Sequence, residues 1–238
     1  GSGTIFICSC NLLCCFCQNH EISHGKEGTE VGPEGLAALM VTLGRAGCHN
    51  INFVTPTHVV PQILEALPLA IESGLRVPLV YNSGGYDSRD TLELLEGIFD
   101  LYMPDFKFWD NRWAERYCAA PDYREVACAA VREMHRQVGD LALDERGIAR
   151  TGLLVRHLVM PNRIAGTEEV MEFVAREIAV NTYVNVMDQY RPCGSAHGDE
   201  FINRRLYAKE YRDAVSAAKR AGLARLDERE RPRLIVMP

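Results

Sequence analysis

Five of the nine cysteines fall within ten residues near the start of the chain: Cys8, Cys10, Cys14, Cys15 and Cys17. Three of them, Cys10, Cys14 and Cys17, carry the spacing C-x-x-x-C-x-x-C. Thiolates on a tight loop bind soft metal centres, and a cubic [4Fe–4S] cluster held by only three of them keeps one iron free for another ligand. An iron in that state is reactive. Disulfide frameworks belong to short secreted domains and do not crowd five cysteines onto one loop, so metal binding in a reducing compartment fits better. A zinc site built from this loop with Cys8, Cys48 or a nearby His is the competing use. Zinc sites favour paired C-x-x-C knuckles, and only Cys14 and Cys17 form such a pair.

Positioning such a loop requires a scaffold, and the 238 residues alternate short β-rich apolar runs with amphipathic stretches from end to end. That is the pattern of repeated βα units on a parallel sheet. Strands are predicted at 4–8, 51–55, 78–81, 101–104, 153–160 and 183–187. Helices are predicted at 33–45, 59–72, 90–95, 109–117, 123–138, 167–178 and 208–221. Pro33 suits a first helical turn and Gly47 a stop. Residues 139–152 read as a turn-rich excursion, a small hairpin in outline. The length suits one domain over 1–238, with a tail from 227 to 238, charged and then apolar, that has no evident place.

The formal net charge of −6 argues against a nucleic-acid-binding face, which needs clustered Lys and Arg. No apolar run approaches the ~20 residues that span a bilayer, and the start lacks the n-region and cleavage site of a signal peptide. The chain is therefore expected to be cytoplasmic, with no membrane partner. Parallel barrels and open α/β sheets both place active sites on the loops that follow the strands. Those loops are rich in functional side chains here: the cysteine loop, Thr55-Pro56-Thr57-His58, Asn82-Ser83-Gly84-Gly85-Tyr86-Asp87, Asp105-Phe106-Lys107, Met160-Pro161-Asn162 and Asp188-Gln189-Tyr190.

Phe16 immediately precedes Cys17, giving C-x-x-x-C-x-aromatic-C directly after the first strand of an α/β chain. With that motif the chain resembles the radical S-adenosylmethionine (SAM) superfamily. More closely it is similar to an uncharacterised branch related to the activating enzyme of pyruvate formate-lyase. The segments that carry the closer match include Gly47-Cys48-His49-Asn50-Ile51-Asn52-Phe53-Val54-Thr55-Pro56-Thr57-His58, Pro104-Asp105-Phe106-Lys107 and Met187-Asp188-Gln189-Tyr190-Arg191-Pro192. They span nearly the whole chain, though the cysteine motif alone is specific for the superfamily. The pattern departs from the family in having Cys8-Ser9 before the first ligand, Leu13 before the second, and an additional Cys15.

The resemblance implies a partial (β/α)6 barrel of the TIM type, with the cluster loop after the first strand and two cofactors, a [4Fe–4S] cluster and SAM. The implied reaction is reductive cleavage of SAM to methionine and a 5′-deoxyadenosyl radical that takes hydrogen from a substrate, a glycyl-radical enzyme being one choice. Cys10, Cys14 and Cys17 are the implied metal ligands, with Phe16 beside them. Thr55, Pro56 and Thr57 occupy the place of a SAM-ammonium segment, but carry no carboxylate; a turn that caps the next helix is the plainer reading. Asn82 and Ser83 are candidates for the SAM carboxylate or ribose. Asp105 and Lys107, two apart at a strand end, would point the same way and suit a zwitterionic group. Gln189 is a further cofactor candidate, while His58, His157, Tyr86 and Tyr190 read more simply as structural. The implied partners are an electron donor of flavodoxin or ferredoxin type and a substrate for which a protein or peptide and a free metabolite are equally admissible. Gly1-Ser2-Gly3 would then be native sequence preceded by a further N-terminal segment. An iron–sulfur electron-transfer or binding module without SAM chemistry, and a zinc-stabilised binding barrel, are the alternative readings.

Overall fold

The computed structural model describes residues 1–25 and 27–227. Its elements run β1 (Gly3–Phe6), α1 (His20–Ser23), α2 (Pro33–Arg45), β2 (Ile51–Val54), α3 (Val60–Glu72), β3 (Leu79–Asn82), α4 (Arg89–Leu94), β4 (Leu101–Tyr102), α5 (Asn111–Cys118), α6 (Tyr123–Val138), β5 (Ala142–Leu143), β6 (Ala149–Leu158), α7 (Thr167–Phe173), β7 (Tyr183–Met187), α8 (Ala208–Arg220) and β8 (Arg225–Leu226). One sheet carries the order β1-β2-β3-β4-β6-β7-β8, with every neighbour on that path parallel and β5 added antiparallel to β6. The six predicted strands are β1, β2, β3, β4, β6 and β7, so the (β/α)6 architecture is the observed one. The predicted excursion is the β5–β6 hairpin. Gly152 lets its two arms cross closely: it has φ +113°, and a Cβ there would meet the Asp140 carbonyl oxygen at 2.4 Å.

Three details differ from the sequence reading. The first strand stops at Phe6, before Cys8, because the chain turns through Ser9 at φ +70° into the cysteine loop. The helix predicted over 167–178 is α-helical only to Phe173 and finishes in a widened π turn, Val174–Ile178. The two-residue β8 has no apolar run to announce it; its pairing with Tyr183 and Val184 is purely tertiary. Asp227 continues that pairing by donating its N–H to the Val184 carbonyl at 3.0 Å, and the rest of the predicted tail, 228–238, lies outside the described residues.

Alternation along the strands sorts the side chains. Ile51, Phe53, Tyr81, Tyr102, Val155 and Val184 face outward into the main core, against apolar stripes such as Leu36, Ala37, Met40 and Val41 of α2. The inward faces divide by height. Near the N-terminal ends of the strands, Val80, Leu101 and Leu141 pack with Met103, Leu154 and Tyr183 into a separate apolar cluster that plugs the barrel. Above it, on the same faces, lie Asn82, Asp105, Arg156 and Met187. No helix among the described residues is long and apolar enough to cross a membrane.

Candidate functional site

The cysteine loop joins β1 to α1 and is fixed by backbone bonds from several directions. Ile7 donates to Val54, Ser9 to Ile22, Leu13 to Cys118 and Cys15 to Tyr117, while Ala196 donates to the Cys15 carbonyl from the far side. Phe16 is buried and packs edge-on against Phe108 and Tyr190, with ring centroids 6.0 Å away in each case. The aromatic residue before the last cysteine therefore nails the loop to the core.

Cys10, Cys14 and Cys17 all line one cavity of about 410 Å³ at the C-terminal ends of the strands. Phe16, Thr55, Asn82, Ser83, Asp105, Lys107 and Gln189 line it too, so most of the sequence candidates meet in one place. Pro56 and Thr57 do not. Pro56 is buried with its carbonyl accepting from Val59, and the Thr57 hydroxyl donates to Asp87 at 2.6 Å. Two larger surface grooves, of about 550 Å³ each, lie beside α7 and α8 and do not reach the cysteines.

Each of the three thiols has its own hydrogen-bond donor. The Leu12 N–H lies 3.3 Å from the Cys10 sulfur, the Cys118 thiol 3.2 Å from Cys14, and the Ser23 hydroxyl 3.2 Å from Cys17. The Cys118 thiol holds Cys14 below the ordinary thiol range, against the opposing effect of burial and with help from the Lys107 ammonium. Burial pushes Cys10 up. The two surplus cysteines lie outside the cavity lining. Cys8 donates to the Glu27 carbonyl at 3.0 Å, and Cys15, raised to about 11 chiefly by burial, sits on the side facing Asp199 and Arg116.

Among the described residues, no group of three or more His, Cys, Asp or Glu converges as a single-ion site. Three separate thiols, each with a donor and all on one cavity, fit a three-thiolate cluster.

Opposite the cysteines, Asp105 pairs with Lys107 at 2.6 Å and with Arg156 at 2.8 Å. Burial alone would raise Asp105, but Arg156 and Lys107 outweigh it and hold the carboxyl below its usual range. Burial likewise opposes the Lys107 charge, and Asp105 followed by Cys14 keeps it protonated. Arg156 was missed by sequence reasoning, which singled out His157 on the same strand. Alternation explains the difference: Arg156 faces inward in register beside Asp105, while His157 faces out, fully buried, with its ring nitrogens 2.7 Å from the Phe106 carbonyl and 2.9 Å from the Thr167 hydroxyl. Burial lowers His157 to about 4. His58 bonds the Cys8 carbonyl at 2.8 Å and is structural as well.

Thr55 stands at φ +63°, a left-handed conformation that is strained for a β-branched residue. Its neighbour on the cavity wall, Asn52, has a buried side-chain oxygen with no hydrogen-bond partner among the described residues. An orphaned acceptor and a strained backbone at one wall mark a place shaped for a ligand. After β3, Gly84 and Gly85 bring the chain close to Leu12 and to the Asp105 carbonyl. Gly85 has φ +76°, and a Cβ on it would stand 2.1 Å from that oxygen.

The fold is a partial parallel barrel with a cysteine loop at the mouth of its cavity. Solved structures with this fold include SuiB of Streptococcus suis bound to S-adenosylmethionine, which matches with a TM-score of 0.63 at 12% identity over 94% of this chain and 49% of that one. They also include TsrM of Kitasatospora setae, a radical S-adenosylmethionine methyltransferase with cobalamin and a [4Fe–4S] cluster bound, with a TM-score of 0.57 at 14% identity over 95% of this chain and 54% of that one. In sequence the chain is 32% identical over 232 residues to MJ0674, an uncharacterised protein of Methanocaldococcus jannaschii. The alignment covers 93% of this chain and spans only 63% of that protein's length. No family model matches.

Proposed function

We propose that this chain is the core of a radical SAM enzyme in which Cys10, Cys14 and Cys17 hold a [4Fe–4S] cluster and the cavity beside them receives SAM on the open iron. The observation that carries this is the convergence of the three thiols of one C-x-x-x-C-x-x-C loop, each with its own donor, on one cavity at the strand ends. Bound there, cluster and SAM supply reductive cleavage of the sulfonium and abstraction of a hydrogen atom, and the protein orients the reactants and excludes water.

The orphaned Asn52 oxygen and the Thr55 backbone and hydroxyl offer neutral acceptors for the SAM ammonium, where no carboxylate is available. Lys107 and Arg156 each give Asp105 one bond and have further N–H donors for a carboxylate. Asn82, Ser83 and Gln189 supply hydrogen bonds for the ribose and the remaining polar atoms. Leu12 and Phe16, both buried, keep water from the cysteines.

The substrate we favour is a peptide or protein segment, the glycyl-radical enzymes being one class of it. A further SuiB structure, bound to precursor peptide SuiA, supports that class with a TM-score of 0.58 at 11% identity over 90% of this chain and 45% of that one. A flavodoxin- or ferredoxin-type donor would reduce the cluster. Reconstitution with iron and sulfide under anaerobic conditions, followed by reduction and addition of SAM, tests the proposal. It predicts 5′-deoxyadenosine and methionine. An intact cluster that yields neither, in the full-length polypeptide, would leave an electron-transfer module as the better description.

A further inference from the structure

Cys118 is one of the four cysteines outside the N-terminal loop, and nothing in its sequence context suggests a role. It is the last residue of α5, 104 positions from Cys14, yet it meets the cysteine loop twice. Its carbonyl accepts the Leu13 N–H at 3.2 Å, and its thiol lies 3.2 Å from the Cys14 sulfur. Tyr117 adds its carbonyl to the Cys15 N–H at 2.9 Å, so the end of α5 grips the loop on both sides of Cys14. Ala119 ends the helix just beyond this grip in the left-handed conformation, φ 55° and ψ 34°, which a non-glycine residue adopts only at some cost.

We infer that Cys118 is a positioning residue of the cluster site, whose S–H donates to the Cys14 thiolate and raises the reduction potential of the cluster. The inference rests on the cluster reading given above. The donor at Cys10 is the Leu12 backbone N–H, which no side-chain change short of proline removes. The Ser23 hydroxyl at Cys17 has a single proton and two rival partners, the Asn19 carbonyl at 2.9 Å and the His24 Nδ1 at 2.8 Å. Cys118 is buried beside Cys14 and its thiol has no such rival among the described residues, so its proton is committed to that sulfur. A hydrogen bond to a ligand sulfur draws off charge, and it stabilises the more negative, reduced cluster more than the oxidised one. In a buried, low-dielectric place the effect is larger than it would be in water.

The test is an EPR-monitored redox titration of the reconstituted full-length protein. Cys118→Ala should take up the same iron and sulfide as wild type and show a more negative midpoint potential. Cys118→Ser, which retains a donor, should restore the potential toward the wild-type value. Where Cys118→Ala fails to take up iron, Cys118→Val, which fills the volume with carbon alone, carries the same prediction. Loss of the cluster in Cys118→Val with retention in Cys118→Ser also supports the role. An unchanged potential in Cys118→Ala or Cys118→Val overturns the inference, as does equal loss of the cluster in the valine and serine variants. Failure of the wild-type protein to take up iron and sulfide would instead refute the cluster itself, and the inference with it.

Discussion

The two ends of the barrel interior are built on the same strands and obey opposite rules. At the N-terminal end, Val80, Leu101, Leu154 and Tyr183 close the interior with Leu141 from the β5 arm, and the packing is apolar. Two to four residues further along the same strands, the inward positions become Asn82, Asp105, Arg156 and Met187 around an open cavity. The mouth carries a three-charge cluster, an orphaned acceptor at Asn52 and a strained Thr55. Each of these costs stability where it stands. The plug and the outer core offset those costs, so that features which would be defects elsewhere can persist at the mouth.

Substitutions can break this contrast. The largest effect is expected at the ligands: Cys10→Ala, Cys14→Ala or Cys17→Ala should abolish cluster binding and formation of 5′-deoxyadenosine while circular dichroism remains that of the folded barrel. Cys15→Ala, outside the cavity lining, should change neither; loss of iron in that variant would break the ligand assignment. Next comes Asp105→Asn, which leaves Lys107 and Arg156 without their shared counter-charge and should cost about 3–5 kcal/mol in urea unfolding. Because the folded-state pKa of Asp105 is depressed, its contribution is complete above the ordinary carboxylate value and is lost as pH falls through the lower folded value. The gap between wild type and Asp105→Asn should therefore narrow in acid.

At the plug, Leu101→Ala should lower stability by about 2–4 kcal/mol, and the variant should still take up iron and sulfide. Equal damage to cluster uptake would mean that the two ends are not separable. Smallest is Thr55→Gly, which relieves the left-handed strain and should raise stability by about 1 kcal/mol while weakening SAM binding through the lost hydroxyl. A loss of stability there would show that Thr55 is not strained.

The parts of this design that are local in sequence were legible from it. Cys10, Cys14, Cys17 and Phe16 lie within one short loop, and Asp105 and Lys107 are two apart at a strand end, so spacing alone brings each set together. The strands themselves announce their apolar runs. What escaped is tertiary. Cys118 reaches Cys14 from the last residue of α5, 104 positions away in the chain. Ser23 reaches Cys17 from a single helical turn, and Asn52 looks like any polar residue of a strand. Arg156 had a usable signal, the alternation that sets it opposite His157, yet choosing between the two faces required knowing which side was the interior. Thr57 illustrates the reverse case: its place after β2 suggested the cavity, but the chain turns at Thr55 and delivers its hydroxyl to the buried Asp87 instead.

The central claim is that a three-thiolate cluster at this mouth keeps one iron for SAM. The most direct measurement is the EPR spectrum of the reduced, reconstituted full-length protein before and after adding SAM. Binding of SAM to the open iron predicts a changed signal, with hyperfine coupling to label placed in the SAM amino and carboxylate groups. A cluster whose spectrum is indifferent to saturating SAM would contradict the account.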